Sequence, residues 1–197
     1  MKHHPTAYYI INGITLYRLV SAPVLLGLAL TGQVEWFRWL LGLSFITDAI
    51  DGFLSRKFMV TSRFGARLDS IADDATVLVA TVALWFLQPE FVSAHWQIFI
   101  ILFALFGIQS IAALIRYHRV TSFHTYLAKT AAVLQGLFFV LVFFNFGFTH
   151  VIFYAAAFVT GIQLVEEIIL VFILPEWKAN VHGIPWVLKY KKRTFRT

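Results

Sequence analysis

Half of the ten acidic residues in this 197-residue chain fall in one window: Asp48, Asp51, Asp69, Asp73 and Asp74. Asp48 and Asp51 are three positions apart, and Asp69 and Asp73 are four apart. On helices, each pair therefore lies on one side of its helix. Two antiparallel helices joined by a short loop can turn both pairs toward each other. Cysteine is absent, which excludes disulfides, a Cys-based zinc site and a thiol nucleophile. All-oxygen ligation of Mg2+, Mn2+ or Ca2+ is the chemistry that such a carboxylate set supports. Four carboxylates can hold two ions side by side, and two ions can clamp a phosphoryl group and stabilise a displacement at phosphorus.

The elements that must position these acids are apolar. The chain is 59% hydrophobic and 13% charged, against roughly 25% charged for a soluble domain, which argues against an ordinary soluble globule. High hydrophobicity also excludes a disordered chain. A bilayer-crossing helix needs about 20 mostly apolar residues, and six stretches qualify, at about 8–30, 35–55, 65–88, 95–117, 124–146 and 149–174. Turn chemistry and polar residues separate them at Thr31-Gly32-Gln33, Arg56 to Arg63, Gln88-Pro89-Glu90, Tyr117 to Ser122, Asn145 to Thr149, and from Pro175 onward. The fifth break is very short, so spans five and six form an antiparallel hairpin. Arg18 interrupts the first apolar run and five more spans follow it, so this run reads as a retained helix and not a cleaved signal. The expected fold class is all-α: a polytopic six-helix membrane bundle over residues 1–175, with a basic cytoplasmic tail over 176–197.

Sixteen Lys and Arg against ten Asp and Glu give a formal charge of +6. In so apolar a chain this excess marks membrane topology and not nucleic-acid binding. One set of alternate loops carries Lys2, Arg56, Lys57, Arg63, Arg116, Arg119, Lys178, Lys189, Lys191, Lys192, Arg193 and Arg196. The other carries only Arg38. Basic loops stay cytoplasmic, so both termini are expected in the cytoplasm, as an even number of spans requires. The tail around Lys189-Tyr190-Lys191-Lys192-Arg193 suits anionic headgroups or open solvent equally well.

The acids lie shallow in the bilayer. Asp48 precedes Arg56 by eight residues, and Asp73 follows Gly65 by eight, which places each roughly 12 Å inward from the connecting loop. A charged Asp at the bilayer centre costs about 2.5–3.5 kcal/mol, so four would cost roughly 10–14 kcal/mol there and less at this depth. Divalent cations offset that cost better than salt bridges to Arg56, Arg63 and Arg67, which would suit one acid better than four.

Gly52 removes bulk beside Asp51, Gly65 does so at the mouth of span three, and Arg56 stands at the cytoplasmic edge within reach of a phosphate. Singly, each fits helix packing or topology equally well. Together, Asp48, Asp51, Gly52, Arg56, Gly65, Asp69 and Asp73 fit the pattern D-x2-D-G-x2-A-R-x8-G-x3-D-x3-D without a spacing error. The sequence thus resembles the CDP-alcohol phosphatidyltransferase family, in its phosphatidylglycerophosphate synthase-like or phosphatidylinositol phosphate synthase-like branches. Ser55 stands where the family usually has Ala. Asn12, Thr15, Arg18 and Pro23 are similar to a segment near the N-terminus of many members, and Lys129-Thr130 to a basic position on span five.

The resemblance implies transfer of a phosphatidyl group from a CDP-linked lipid, usually CDP-diacylglycerol, to a small polar alcohol, with release of CMP. It implies two Mg2+ or Mn2+ ions on Asp48, Asp51, Asp69 and Asp73, with Asp73 also the general base. Gly52, Ser55, Arg56 and Gly65 would shape the CDP-lipid site, with Asn12, Thr15 and Arg18 beside it. A homodimer in the inner membrane and a cytoplasmic active site follow from the same resemblance. Arg63, Arg116 and Lys129 are the candidates to hold a phosphorylated acceptor, and the cationic cytoplasmic mouth favours glycerol 3-phosphate over inositol, its phosphate or serine. Pairing with a polar group on another helix, within the chain or across a dimer, is the expectation for Glu166 and Glu167. His118, His124 and Gln109 either line the acceptor pocket or satisfy helix ends.

Three other readings compete. A cation transporter explains buried acids but not the spacing of Gly52, Arg56 and Gly65. An intramembrane prenyltransferase shares the metal logic but carries two separated Asp-rich motifs. An inactive scaffold has no need of a complete acid set.

Overall fold

The computed structural model describes the backbone of residues 5–58, 63–118, 123, 125–176, 181–187 and 189. It describes their side chains except at 5–12, 49, 51–58, 63–67, 69, 70 and 74. Among the described residues six long helices follow one another: α1 (Pro5–Leu30), α2 (Val34–Phe58), α3 (Arg63–Leu87), α4 (Pro89–Tyr117), α5 (Tyr126–Phe143) and α6 (Thr149–Ile173). They match the six expected stretches in number and order, and no strand occurs among the described residues. Among those residues, parts or all of α1, α4, α5 and α6 are long and apolar enough to cross a membrane. Helices α2 and α3 hold the acidic window and its flanking basic residues, which lowers their hydropathy.

The helix ends follow local chemistry. Gly32, at φ +70, takes the left-handed conformation after α1. There Gly32 N–H donates to Ala29 C=O at 3.2 Å and Gln33 N–H to Leu28 C=O at 2.9 Å. The last carbonyls of the helix are satisfied without a Cβ penalty at the turn. Thr125 Oγ1 accepts the Ala128 N–H at 3.1 Å and so caps the start of α5. At the far end of α6, Leu174 C=O accepts from Arg116 Nε and Nη2, both at 3.2 Å, and from Tyr117 Oη at 2.9 Å.

Residues 1–94 and 139–145 form one compact unit, and 95–138 with 146–197 form a second. In the first, α1 packs on both α2 and α3, more extensively than these pack on each other. Its buried positions among the described residues are Thr15, Arg18, Ser21, Ala22, Leu25 and Ala29, a spacing of three and four, with Ser21 beside Ala22, that makes one stripe. Phe37, Leu41 and Ser44 are the buried positions of α2, and the next step of that stripe is Asp48. Ala72, Thr76, Ala80, Ala83 and Leu84 form the buried stripe of α3, with Asp73 beside its first member. Small residues dominate, which lets the backbones approach closely where lipid supplies no hydrophobic drive between helices. Ser21 Oγ donates to Arg18 C=O at 2.8 Å and lies 3.3 Å from Ser44 Oγ, tying α1 to α2 one turn from Arg18. Large apolar side chains face outward instead, among them Val20, Leu43, Leu78 and Trp85, as lipid-facing positions should.

The second unit buries a polar network. Gln109 of α4 donates to Glu167 Oε2 at 3.0 Å, and Gln163 donates to Glu167 Oε1 at 2.6 Å. Glu166 Oε1 accepts the Ile184 N–H at 3.2 Å. Gln135 of α5 reaches Thr160 of α6 at 2.8 Å, as expected of an antiparallel hairpin. Val181 and Val187 join Ala113, Phe123, Leu170, Val171 and Leu174 in an apolar cluster. Residues 181–187 are therefore folded onto the ends of α4 and α6. Gly183 permits this. Its φ is +137, and a Cβ there would sit 3.0 Å from Glu166 Oε1.

Two outcomes are expected. Ala80→Leu overpacks the α3 stripe and lowers stability by about 1–3 kcal/mol, read by thermal unfolding in detergent, whereas Leu78→Ala on the outward face has little effect. Gly183→Ala releases the 181–187 segment, so limited trypsinolysis at Lys189 becomes faster than in the unmodified chain.

Candidate active site

Arg18 is the largest of the fully buried side chains, at 2% exposure. Its guanidinium presents two nitrogens to two different helices. Nη1 lies 2.7 Å from Asp48 Oδ1 of α2, and Nη2 pairs with Asp73 Oδ1 of α3. The acids are 41% and 44% exposed. The cation is thus sealed inside the three-helix unit, while both carboxylates stand between it and the open side.

The local reasons are visible in the stripes. Arg18 occupies a seam position of α1, between Thr15 and Ala22. The seams of α2 and α3 turn polar at Asp48 and Asp73, so the three charged groups meet at one level of the bundle. A buried cation needs partners with good geometry, because its desolvation costs several kcal/mol. A planar guanidinium can serve two acids at once, which a lysine ammonium cannot do as well.

The first and last acids of the 48–73 motif, on separate helices, are therefore brought onto one cationic group. Those donors fit a hard cation: two carboxylates from different helices converge where a positive charge already sits. Asp51 and Asp69 lie on the described backbones of α2 and α3, but their side chains fall outside the described residues. Among the described residues, no group of three or more acidic or imidazole side chains forms a metal cluster.

The remaining expected residues separate. Thr15 is buried one turn from Arg18, at 2% exposure. Asn12, Gly52, Ser55, Arg56, Arg63 and Gly65 lie on helices α1, α2 and α3, and beyond that backbone placement they fall outside the described residues, as do Arg119 and His124. In the second unit, Arg116 uses two nitrogens to cap α6 at Leu174. Lys129 is exposed in the first turn of α5, which starts at Tyr126 after the Thr125 cap. His118 is exposed at φ 54, closing α4 through its backbone bond to Leu114 C=O. Gln109 and Glu167 pair with each other inside the chain.

The sequence places Arg18 near the nucleotide or the acid cluster, with simple pairing to an Asp as the alternative, and its partners are Asp48 and Asp73. The available signal was a charged residue at a seam position of an otherwise apolar stripe.

Comparison with known proteins bears on this arrangement. The sequence profile described as CDP-alcohol phosphatidyltransferase matches residues 8–163. A CDP-diacylglycerol--glycerol-3-phosphate 3-phosphatidyltransferase of Cereibacter sphaeroides is 33% identical, with 45% of this chain and 46% of the relative covered. Its namesake from Pectobacterium atrosepticum is 38% identical over 42% of this chain and 45% of the relative. One from Yersinia pestis is 40% identical over 35% and 40%. The chain thus spans about half the length of the curated relatives it matches. No solved structure matches it.

Asp48→Ala leaves Asp73 as the described acid paired with a buried guanidinium. Breaking a buried pair costs roughly 3–5 kcal/mol, and the half-open setting of Asp48 reduces this to about 1–3 kcal/mol. The loss is read by thermal unfolding in detergent.

Proposed function

Since the chain belongs to the CDP-alcohol phosphatidyltransferase family, we propose that it transfers a phosphatidyl group from CDP-diacylglycerol to glycerol 3-phosphate and releases CMP. The observation that carries this reading is the convergence of Asp48 and Asp73 on one cationic position, half-open to the outside. The names of the relatives support the donor and acceptor.

In this reading Asp48, Asp51, Asp69 and Asp73 would hold two Mg2+ or Mn2+ ions, which would supply stabilisation of phosphate charge. The acceptor hydroxyl oxygen attacks the lipid-side phosphorus. As the new P–O bond forms, the P–O bond to CMP breaks and the hydroxyl proton passes to an oxygen of Asp73. Arg56 at the end of α2 neutralises pyrophosphate charge. Gly52, Ser55 and Gly65 leave room for the nucleotide, with Asn12 and Thr15 beside it. Arg63, Arg116 and Lys129 attract the acceptor phosphate.

All six helices cross the inner membrane, with the acids of α2 and α3 near the cytoplasmic surface. Both termini are cytoplasmic. Residues 1–175 form the membrane domain, and 176–197 lie at the inner face, where exposed Tyr126 and Trp186 suit the headgroup level. The working form is a homodimer.

Asp73→Asn abolishes CMP release while part of the metal binding remains, and turnover near that of the unmodified enzyme would remove Asp73 from the base role. Removal of divalent cations with EDTA stops CMP release, and Mg2+ or Mn2+ restores it. An acceptor panel with CDP-diacylglycerol, read by CMP and by lipid product, yields phosphatidylglycerol phosphate. A lipid product from inositol, inositol phosphate or serine alone would reassign the acceptor.

A further inference from the structure

We infer that Arg18 is a built-in counter-ion of the acid cluster, a positioning residue that holds the acids when no divalent cation is bound and limits how tightly one binds. The inference rests on the metal-binding reading above and adds a function for a residue on α1, outside the 48–73 motif.

Three observations carry it. The guanidinium is 2% exposed, whereas the two carboxylates it pairs with are 41% and 44% exposed. Its two terminal nitrogens go to acids on different helices, so it spans α2 and α3 as a bridging cation would. Its backbone is anchored, because Ser21 Oγ bonds Arg18 C=O and faces Ser44 of α2. The side chain is therefore presented from a fixed point and does not wander in from a loop.

The physical consequence has a sign. In the metal-free protein, Arg18 offsets the repulsion and desolvation of Asp48 and Asp73, so the three-helix unit keeps its seams without metal. When a divalent cation binds the same carboxylates, it meets a positive charge on the protein side. Like charges at this separation repel strongly in a medium of low dielectric constant. Arg18 thus weakens metal binding while making the fold independent of it. Removing the charge reverses both effects: metal binds more tightly, and folding becomes linked to metal.

The test uses full-length protein in detergent micelles as unmodified, Arg18→Gln and Arg18→Lys forms. Free Mn2+ is followed by its paramagnetic resonance signal, and thermal unfolding is recorded in EDTA and in saturating Mn2+. Arg18→Gln is expected to bind Mn2+ at least about ten-fold more tightly. Its melting temperature falls in EDTA, and Mn2+ closes most of that gap. Arg18→Lys keeps the charge and stays within about three-fold of the unmodified Mn2+ affinity. If Arg18→Gln does not accumulate, the Arg18→Gln/Asp73→Asn double variant, which removes one charge of each sign, is expected to fold without metal.

Mn2+ affinity unchanged or weaker in Arg18→Gln, with melting lowered equally in both buffers, would make Arg18 a packing residue and overturn the inference. Failure of the double variant to fold would do the same. Absence of Mn2+ binding by the unmodified protein is a separate result: it removes the metal-binding reading itself, and the counter-ion role with it.

Discussion

A cation buried among helices that face lipid must be neutralised inside the protein, and the arrangement of the first unit depends on how that is done. Arg18 is sealed in the seam of α1 with Asp48 on one side and Asp73 on the other. Neither acid pair could sit inside an apolar bundle unaided, and the guanidinium could not be buried without them. The interaction joins three helices at one level, and the small-residue seams below it allow those helices to come close enough for it to form.

That constraint also shapes what the site can do. The acids are half-open while their counter-ion is closed off, so the carboxylates are available on one side only. A charged ligand arriving from that side meets oxygen donors already aligned by the fold. This is the preorganisation that displacement at phosphorus needs, because stabilising groups that stand in place before reaction need no rearrangement at the transition state.

The second unit solves a similar problem with neutral groups. Glu167 is surrounded by amide donors from Gln109 and Gln163, and Glu166 receives a backbone N–H from the 181–187 segment. Buried polar atoms in such surroundings are held where they find partners. Here the partners come from another helix and from the folded-back C-terminal segment. The basic residues Arg116 and Lys129 lie at the ends of α4 and α5. Arg116 closes the end of α6 by donating from Nε and Nη2 to Leu174 C=O.

Much of this was legible beforehand. Six helices and their turn chemistry at Gly32 and Asn145 follow from local spacing, because helix periodicity and turn preferences are properties of neighbouring residues. The motif and its class of chemistry were legible for the same reason. The partner of the acids was not. Arg18 lies 55 residues from Asp73, and which charged groups meet depends on how the seams of α1, α2 and α3 align, a result of all their packing residues together. The seating of Val181 to Val187 on α4 and α6 likewise required the folded chain, since Gly183 has a reason to be glycine only once Glu166 stands 3.0 Å from where its Cβ would be. Sequence alone determined the helices and the kind of chemistry. Tertiary structure decided which distant charge answers the acids, because a salt bridge between helices is set by packing register and not by position along the chain.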